Sequence, residues 1–514
     1  MKYIKSLYAY NLNIFWRKKP ADDDDHVQMQ QQNKVDAAAG DGGRGGGNDC
    51  NELILQGLRI LQGLARDAHN CVEICSDVGL VAKITAPLYS TTLVGDIGSS
   101  EPWADIANAS LKVVHQLLVH AAAPGSTISL RHGISSNRQA MSNLENILHP
   151  TSTSEATEAI CLELQMRAME ILTHLVLHSS PVNVINEETR VISLVNKQLE
   201  IFLPHGGEVT ADNKRTLKAT AGETLVSILS NCDEAISMFI IKEHNDVIDR
   251  LTAMLDAKCN IRYRILSANI LENLCTHCNE HVNETLLQKV LNDILKPPTT
   301  EASQSTTSAP GGNVESQKNN SQGNDVENQM QSSKENAQET HAKASQGKKE
   351  DQKANASSKK QDQQTNDSSK EEDQQANEDE ADMKELLEAQ LSLTLVLREQ
   401  LFRAESSTPL IQENDPDDAG FVKKLRTIVD DNCQATPVSL RIIKLCSQIV
   451  ASIMRRSGCA SDERKGFVES VSKASKAMAN LESCMLFAGA DSDLKKTARP
   501  LLSVLETELK RLAA

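Results

Sequence analysis

The stretch ILENLCTHCNEH, residues 270–281, holds the residue types that most readily do chemistry in this sequence. Cys275 and Cys278 stand three positions apart, and His281 follows after three more. Cysteine thiolates and histidine nitrogens are common zinc ligands, and two cysteines separated by two residues also occur as redox pairs. A third interpretation is that these side chains only pack, because a reduced cysteine behaves as a small hydrophobic residue.

The helical pattern around these residues argues against a metal site. If the helix continues through His281, that residue lies six positions and therefore about 9 Å along the axis from Cys275. Ligands of one zinc ion lie about 2.0–2.3 Å from the metal, so these two side chains cannot share it. A site would require the helix to stop at Cys275 and a fourth ligand such as Cys259 or His244. We predict no catalytic residue, metal or cofactor, and Cys275, Cys278 and His281 remain the metal candidates.

A histidine or cysteine recurs near the C-terminal end of five helical segments. These residues are His69 and Cys71, His120, His178, Cys232, and His277 with Cys278. Five metal sites in five segments are implausible, whereas a histidine near a helix C-terminus complements the helix dipole and a cysteine packs as a small apolar group. The recurrence therefore favours packing over chemistry.

Five segments share a pair of apolar residues three positions apart, which is the spacing of one helix face. The pairs are Leu61/Leu64, Val114/Leu117, Leu172/Leu175, Leu225/Ile228 and Leu271/Leu274. Their first members are separated by 53, 58, 53 and 46 residues, and a second amphipathic segment follows each pair. Such recurrence predicts stacked helical repeats, the alternative being an irregular helical domain. Lys289 is expected on the polar side of the helix after the last pair.

Composition divides the chain into folded and unfolded parts. Residues 297–381 are rich in polar residues and contain no Leu, Ile, Phe, Tyr, Trp or Cys, so they cannot bury enough surface to offset the entropy of ordering. Residues 20–50 carry acidic and Gly-rich runs typical of a flexible linker. We predict disorder in both and helical repeats at 51–296 and 382–514. The predicted fold class is all-α, an armadillo- or HEAT-like right-handed helical solenoid interrupted by a long disordered linker.

Three stretches carry a resemblance to a known family. WADIANASLKVVHQLL, GETLVSILSNCDEAISMFI and above all YRILSANILENLCTHC are similar to plant armadillo-superfamily proteins of the brassinolide-enhanced-like type. The resemblance covers most of 51–296 and, more loosely, 382–514. It implies an armadillo-type fold without known enzymatic activity, and it supplies no catalytic residue.

A further armadillo pattern is absent from the sequence. Nuclear-import adaptors of this superfamily repeat Trp and Asn along the groove. Here the residue before the second member of each pair is Gly63, Gln116, His174, Ser227 or Asn273, and the sequence holds only two tryptophans. Binding of basic localisation peptides is therefore not predicted.

Charge and cysteine usage narrow the location and the partners. The formal net charge of −16 argues against nucleic acid, because phosphate binding requires clustered Lys and Arg. Twelve cysteines without a secretory signal predict reduced thiols in a cytoplasmic protein. No apolar run approaches the roughly 20 residues of a membrane-spanning helix.

Residues 1–19 combine five aromatic residues with five lysines and arginines and no acid. This composition suits a membrane surface, and the alternative is a poorly ordered tail or the stub of a longer protein. Two functions remain open. The first is a non-enzymatic scaffold that holds segments of a partner protein on a helical-repeat groove. The second is a membrane-peripheral protein that docks weakly through 1–19.

Overall fold

The computed structural model describes eleven segments of the chain, which are residues 46–120, 127–149, 155–178, 184–203, 212–231, 234–277, 284–295, 365–405, 418–456, 461–487 and 500–514. Within these segments 89% of the residues are helical and none forms a strand, which confirms the predicted all-α class. The segment 1–19 and most of the predicted linker 297–381 lie outside them.

The described segments contain nineteen α-helices and one short 3-10 helix, Ala86–Tyr89. The α-helices are α1 Gly46–Leu64, α2 Ala68–Ser76, α3 Val78–Ile84, α4 Leu93–Ser99, α5 Glu101–His120, α6 Ile128–Ser135, α7 Arg138–Ile147, α8 Glu155–Leu177, α9 Val184–Phe202, α10 Asp212–Asn231, α11 Glu234–Glu243, α12 Val247–Ala253, α13 Ile261–His277, α14 Glu284–Leu295, α15 Thr365–Glu405, α16 Asp418–Asp431, α17 Pro437–Arg456, α18 Ser461–Phe487 and α19 Leu502–Ala513.

Five of these helices stack in chain order. Helix α1 packs against α5, α5 against α8, α8 against α10, and α10 against α13. They are the helices that contain the five predicted apolar pairs. Nine of the ten residues in those pairs are buried, and Leu64 is partly buried against the same core. The apolar face of each helix is thus covered by its neighbours in the stack.

Shorter helices lie between the stacked helices in the sequence and pack against them. Helices α2 and α4 contact α5, α7 contacts α8, and α11 and α12 contact α13. Three of the short helices begin at capping residues. The side chains of Asp67, Asp77 and Asn137 each accept a hydrogen bond, of 3.0–3.1 Å, from the backbone N–H three residues later. These caps satisfy N–H groups that the first helical turn leaves without a partner.

Two described helices begin inside the predicted linkers. Helix α1 begins at Gly46, inside 20–50, and α15 begins at Thr365, inside 297–381. The composition argument tests whether a segment can form its own core, and helix continuation does not require one. Glu, Gln, Ala and Lys are good helix formers, so a polar sequence can extend a helix that is anchored elsewhere.

Residues 386–400 of α15 connect the two helical regions and are nearly all buried. Gln400 donates a 2.9 Å hydrogen bond to the Thr276 carbonyl of α13. Helix α15 is also bonded to α17, because Arg441 of α17 donates a 2.8 Å hydrogen bond to the Glu388 carboxylate of α15. The described residues of 46–295 and 381–514 consequently belong to one compact unit, and those of 365–380 belong to a second.

Helices α16–α19 form a C-terminal bundle in which α16 contacts α17 and α18, and α19 contacts α17 and α18. Within the described residues, Pro437–Arg455 of α17 is long and apolar enough to cross a membrane, although the sequence analysis identifies no such run. However, 72% of that stretch is buried inside the protein, which is typical of the core helix of a water-soluble domain. Length and composition alone therefore do not identify it as a span.

Candidate interaction face

The cysteine and histidine constellation of the sequence is only partly described. Cys275 is 1% exposed within α13, whereas Cys278 and His281 lie outside the described residues. His244, a suggested further ligand, instead hydrogen-bonds Asn196 at 3.0 Å through Nε2. In the part of the chain that the structure describes, no group of three His, Cys, Asp or Glu residues could hold a metal ion.

Cys71 and Cys75, four positions apart on α2, are a second pair of closely spaced cysteines, and they act as packing groups. Cys71 is buried, and its Sγ donates to the Ala65 carbonyl at 3.0 Å. Burial raises the pKa of Cys75 to about 11, and that of Cys71 is raised for the same reason. Both therefore stay protonated at neutral pH, and a protonated thiol is a poor nucleophile.

A stripe of polar side chains runs along one side of α5, α8, α10 and α13. Most of its residues are three, four or seven positions from another on the same helix, so they lie on one side of that helix, and each is partly or fully exposed. We call this surface the polar face. It comprises Lys112, His115 and Gln116 on α5, Glu163, Arg167, Glu170 and His174 on α8, Glu223 and Ser227 on α10, and Arg262, Asn269 and Asn273 on α13.

The first junction of the polar face joins α5 to α8 through Glu163. Lys112 Nζ lies 2.8 and 2.9 Å from the two carboxylate oxygens of Glu163, and the Asn108 side-chain amide donates to one of them, Oε2. Burial alone would raise the pKa of Glu163. The hydrogen bonds from Lys112 and Asn108 outweigh it and hold that pKa below its ordinary value, so the carboxylate is charged at neutral pH.

Two helical turns further along α8, Glu170 forms a second junction between the same helices. Arg167 donates to Glu170 at 2.5 Å, and His115 Nε2 lies 3.5 Å from the same carboxylate oxygen. Burial, with a smaller contribution from the positive charge of Arg167, lowers the pKa of His115 to about 4. His115 is therefore neutral at pH 7. Burial raises the pKa of Glu170, with a smaller contribution from the Glu223 charge on α10.

The polar face continues from α10 to α13 through Glu223 and Arg262. Arg262 donates to one Glu223 oxygen from Nη2 at 2.8 Å and from Nε at 3.3 Å. This hydrogen bond raises the pKa of Arg262, and the charges of Glu385 and Asp382 on α15 raise it further. Charged groups therefore follow one another from α5 through α8, α10 and α13 to α15.

Several polar atoms of this surface have no hydrogen-bond partner among the residues that the structure describes. His115 Nδ1, Gln116 Oε1, Arg167 Nε and His174 Nδ1 are each buried at the atom and unpaired, although their residues are partly exposed. A buried polar atom without a partner costs about 1–3 kcal/mol, so a group of them in one place requires an explanation. A small rearrangement of these partly exposed side chains would bring the atoms to the surface, where a bound molecule that supplies the missing donors and acceptors would recover this free energy.

Comparison with known proteins gives no relative. A scan of family models finds no match to the chain, and a search of curated proteins finds no similar sequence. The polar face is therefore interpreted from its own geometry.

The sequence identifies part of this face. Gln116, His174, Ser227 and Asn273, singled out because each precedes a core residue, all lie on the polar face. The charged residues were missed, although a signal exists in the sequence. The position five residues before the second core residue is polar in every repeat, as Arg59, Lys112, Glu170, Glu223 and Asn269. Residues 1–19 lie outside the described segments, so membrane docking through them stays a prediction.

Proposed function

We propose that this protein is a non-enzymatic interaction scaffold that holds an extended segment of a partner protein across the polar face. The observation that carries the proposal is the set of unpaired polar atoms on a partly exposed surface formed by successive helices. Arg167 Nε–H is a donor and Gln116 Oε1 is an acceptor. A peptide main chain offers both N–H and C=O groups, so an extended segment suits such a mixture.

We also propose that the stack is an armadillo-like right-handed solenoid, as the resemblance to the brassinolide-enhanced-like proteins implies. The successive packing of α1, α5, α8, α10 and α13 supports this arrangement, because in a solenoid each repeat contacts only its neighbours. Solenoids commonly present extended binding surfaces, and the polar face lies on the helices that form the stack.

The dimensions of the polar face set the length of the segment. Packed helices lie about 8–10 Å apart, so the three intervals between α5 and α13 span about 24–30 Å. An extended chain advances about 3.3 Å per residue, so about seven to nine residues would cross the four helices. The expected partner region is therefore a short linear segment rather than a folded domain.

Site-specific photo-crosslinking tests this proposal. A photoreactive amino acid replaces Ser227, which is exposed on α10 within the polar face, and the full-length protein is irradiated in a lysate of its source cells. Asn245 is the control position, since it is exposed between α11 and α12, which carry no residue of the polar face. We expect crosslinks from position 227 to fall in one contiguous segment of a partner, and none to that segment from position 245.

A charge-insertion variant gives an independent readout. Ser227→Arg combined with Asn273→Arg places two bulky cations on the polar face, and this variant should lose the crosslinked partner in a pull-down. Asn245→Arg should retain it. Equal retention by both variants, or crosslinks spread over unrelated proteins at both positions, would contradict binding at this face.

A further inference from the structure

Helix α1, the first described helix of the stack, carries exposed apolar side chains on one side. Leu53, Gln56 and Ile60 are three and four positions apart, so they lie on the same side of the helix, and each is exposed. We call this surface the open face. We propose that residues 1–19 of the same chain pack as a helix against the open face and so form the first member of the stack. The proposal rests on the packing of the stack and not on the scaffold function.

The five apolar pairs align the stacked helices, and this alignment identifies the open face as a packing surface. Eight positions before the first residue of each pair stand Leu53, Ile106, Leu164, Leu217 and Tyr263. One position before it stand Ile60, Val113, Ile171, Thr224 and Ile270. On α5, α8, α10 and α13 all of these residues are buried, except that Tyr263 is partly buried. On α1, in contrast, Leu53 is 53% exposed and Ile60 is 44% exposed.

The difference between α1 and the later helices lies in their neighbours. Helices α5, α8, α10 and α13 each pack against a stacked helix that precedes them in the chain. Helix α1 shares a following neighbour with α5, α8 and α10, but among the described residues no helix precedes it. The exposure of Leu53 and Ile60 therefore matches the position of a preceding helix.

Residues 1–19, which lie outside the described segments, have the sequence of such a helix. No Gly or Pro interrupts them, and apolar side chains recur at intervals of four and three, as Ile4, Tyr8, Leu12 and Phe15. Ile4 and Phe15 are eleven positions apart, as are Leu53 and Leu64 at the two ends of the corresponding row on α1. The two rows are therefore of equal length in helical form, about 16 Å each.

The chain between this segment and α1 is long enough for such packing. Residues 20–45 belong to the predicted flexible linker, and about 26 residues of that kind have an r.m.s. end-to-end distance of about 25–31 Å. Packed helices lie about 8–10 Å apart, and the 19 residues of α1 span about 28 Å. The linker can therefore reach either end of α1 from the segment.

Tethering favours this segment over a second copy of the chain. A flexible linker holds a tethered group at an effective concentration in the millimolar range. The open face is also only one helix wide, whereas a stable dimer buries about 800 Å² on each partner. Packing on α1 would cover apolar residues of 1–19, so docking of that segment on a membrane would require its release from the stack.

Crosslinking in the full-length protein tests the proposal. A photoreactive amino acid replaces Gln56, and the purified protein is irradiated as an equal mixture of ¹⁵N-labelled and unlabelled chains. We expect crosslinks from position 56 to residues 1–19 that join peptides of the same label and hence of one chain. Ser230, which is exposed on α10, is the control position and should give no crosslink to that segment.

Leu53→Ser combined with Ile60→Ser should lower the yield of this crosslink by about tenfold or more, because two apolar contacts are lost. Leu486→Ser combined with Val504→Ser changes two exposed apolar residues of the C-terminal bundle and should leave the yield unaltered. Hydrogen exchange gives a second readout. The amides of 1–19 should exchange faster in the first variant, while those of 101–120 keep their protection because both changed side chains are exposed.

Three results would overturn the proposal. Crosslinks from position 56 that join chains of different label would assign the open face to a second copy. Absence of crosslinks to 1–19, or an equal yield after Leu53→Ser and Ile60→Ser, would show that the segment does not pack there. Protection of 1–19 that arises only with phosphatidylserine vesicles would assign the segment to a membrane surface. None of these results bears on crosslinking at position 227, which tests the scaffold function separately.

Discussion

The stack of α1, α5, α8, α10 and α13 and the bundle of α16–α19 both join helices with ion pairs, but they place those pairs differently. In the stack, Lys112 and Glu163 lie 2.8 Å apart with side chains 25% and 40% exposed. In the bundle, Lys444 and Glu482 lie 2.6 Å apart with side chains 2% and 12% exposed. Glu482 also accepts the Leu502 backbone N–H of α19 at 3.1 Å. The Lys444–Glu482 pair thus lies inside the bundle and joins α17, α18 and α19, whereas Arg455 and Glu508, which also join α17 to α19, have side chains 52% and 30% exposed.

The two pairs differ in what the loss of one partner would cost and in whether the side chains can contact a bound molecule. A buried ion pair that loses one member leaves an uncompensated charge, so its cost on disruption is large. A partly exposed pair contributes little to stability because water solvates each partner alone. The polar face contains pairs of the second kind, and their side chains can exchange solvent for a bound molecule at low cost to the fold.

The largest effect is expected in the bundle. Lys444→Ala leaves Glu482 buried without its cation and should lower the free energy of unfolding by about 3–5 kcal/mol. Lys444→Met combined with Glu482→Gln removes both charges and retains an acceptor for the Leu502 N–H, so it should recover most of the loss. Urea denaturation measures both variants. A double variant as unstable as Lys444→Ala would show that the charges themselves are required.

In the stack, the largest effect should come from an apolar residue. Leu274 is fully buried in α13, and Leu274→Ala should lower the free energy of unfolding by about 2–5 kcal/mol through lost burial and the cavity left behind. Ser230→Ala, at an exposed position of α10, should change it by less than about 0.5 kcal/mol. Similar values for the two variants in urea denaturation would contradict the packing described.

A pH dependence should follow from His115. Its pKa is about 4 in the folded protein against an ordinary 6.5, so the unfolded chain takes up the proton first as the pH falls. The resulting stability is present above pH 6.5 and is lost between 6.5 and 4, with a magnitude of up to about 3 kcal/mol. Glu170, whose pKa is raised, contributes in the opposite direction.

The variant His115→Phe isolates this contribution. Its free energy of unfolding, measured in urea at pH 7.5 and pH 4.5, should fall less between the two values than that of the unmodified protein. Glu170 is retained in both proteins, so its contribution is similar in each. An equal fall in the free energy of unfolding of both proteins would show that groups other than His115 cause the loss of stability in acid.

Gly222 and Gly63 both lie in helices of the stack, but only Gly222 is closely packed against neighbouring side chains. A Cβ on Gly222 would lie 2.8 Å from Leu266 Cδ1 and from the Phe202 ring, whereas one on Gly63 would meet nothing within 4 Å. Adding a methyl group to a packed core costs about 1–3 kcal/mol of stability, whereas the higher helix propensity of Ala relative to Gly contributes about 1 kcal/mol in the other direction. Gly222→Ala should therefore destabilise by up to about 2 kcal/mol, while Gly63→Ala should stabilise in the same thermal unfolding assay.

The smallest effect should be at the polar face. A double-mutant cycle of Lys112→Ala and Glu163→Ala should give a coupling of no more than about 1 kcal/mol, and added salt should reduce it. A coupling as large as the change caused by Lys444→Ala would remove the distinction between the two regions.

The sequence predicts the stacked helices well because apolar periodicity is a direct consequence of burial. The pairs ending at Leu117, Leu175, Ile228 and Leu274 are all buried, as helical spacing requires. Polar positions are less predictable, because a polar residue is compatible with several surroundings. Lys289 is expected on a solvated face, yet it is partly buried and donates to the Thr252 carbonyl near the end of α12.

The candidate site could be predicted only in part, for a related reason. Its residues come from four helices, and their pairing depends on how those helices align, which periodicity within each helix does not specify. The bond between Glu223 and Arg262 joins residues 39 positions apart, and that between Lys112 and Glu163 joins residues 51 apart.

The net charge of the whole chain, −16, does not describe every region of it. Residues 418–514 hold 16 Lys and Arg against 11 Asp and Glu, so this region is net basic.

The most direct test of the stacked-repeat account is hydrogen exchange of Leu274→Ala followed along the chain. Because each repeat of a solenoid contacts only its neighbours, the account predicts faster exchange over roughly 221–295 and unchanged protection over 51–120. Ser230→Ala should leave both regions as in the unmodified protein. A uniform increase in exchange from 51 to 295 would show a single cooperative domain, and it would contradict the solenoid on which the proposed binding face depends.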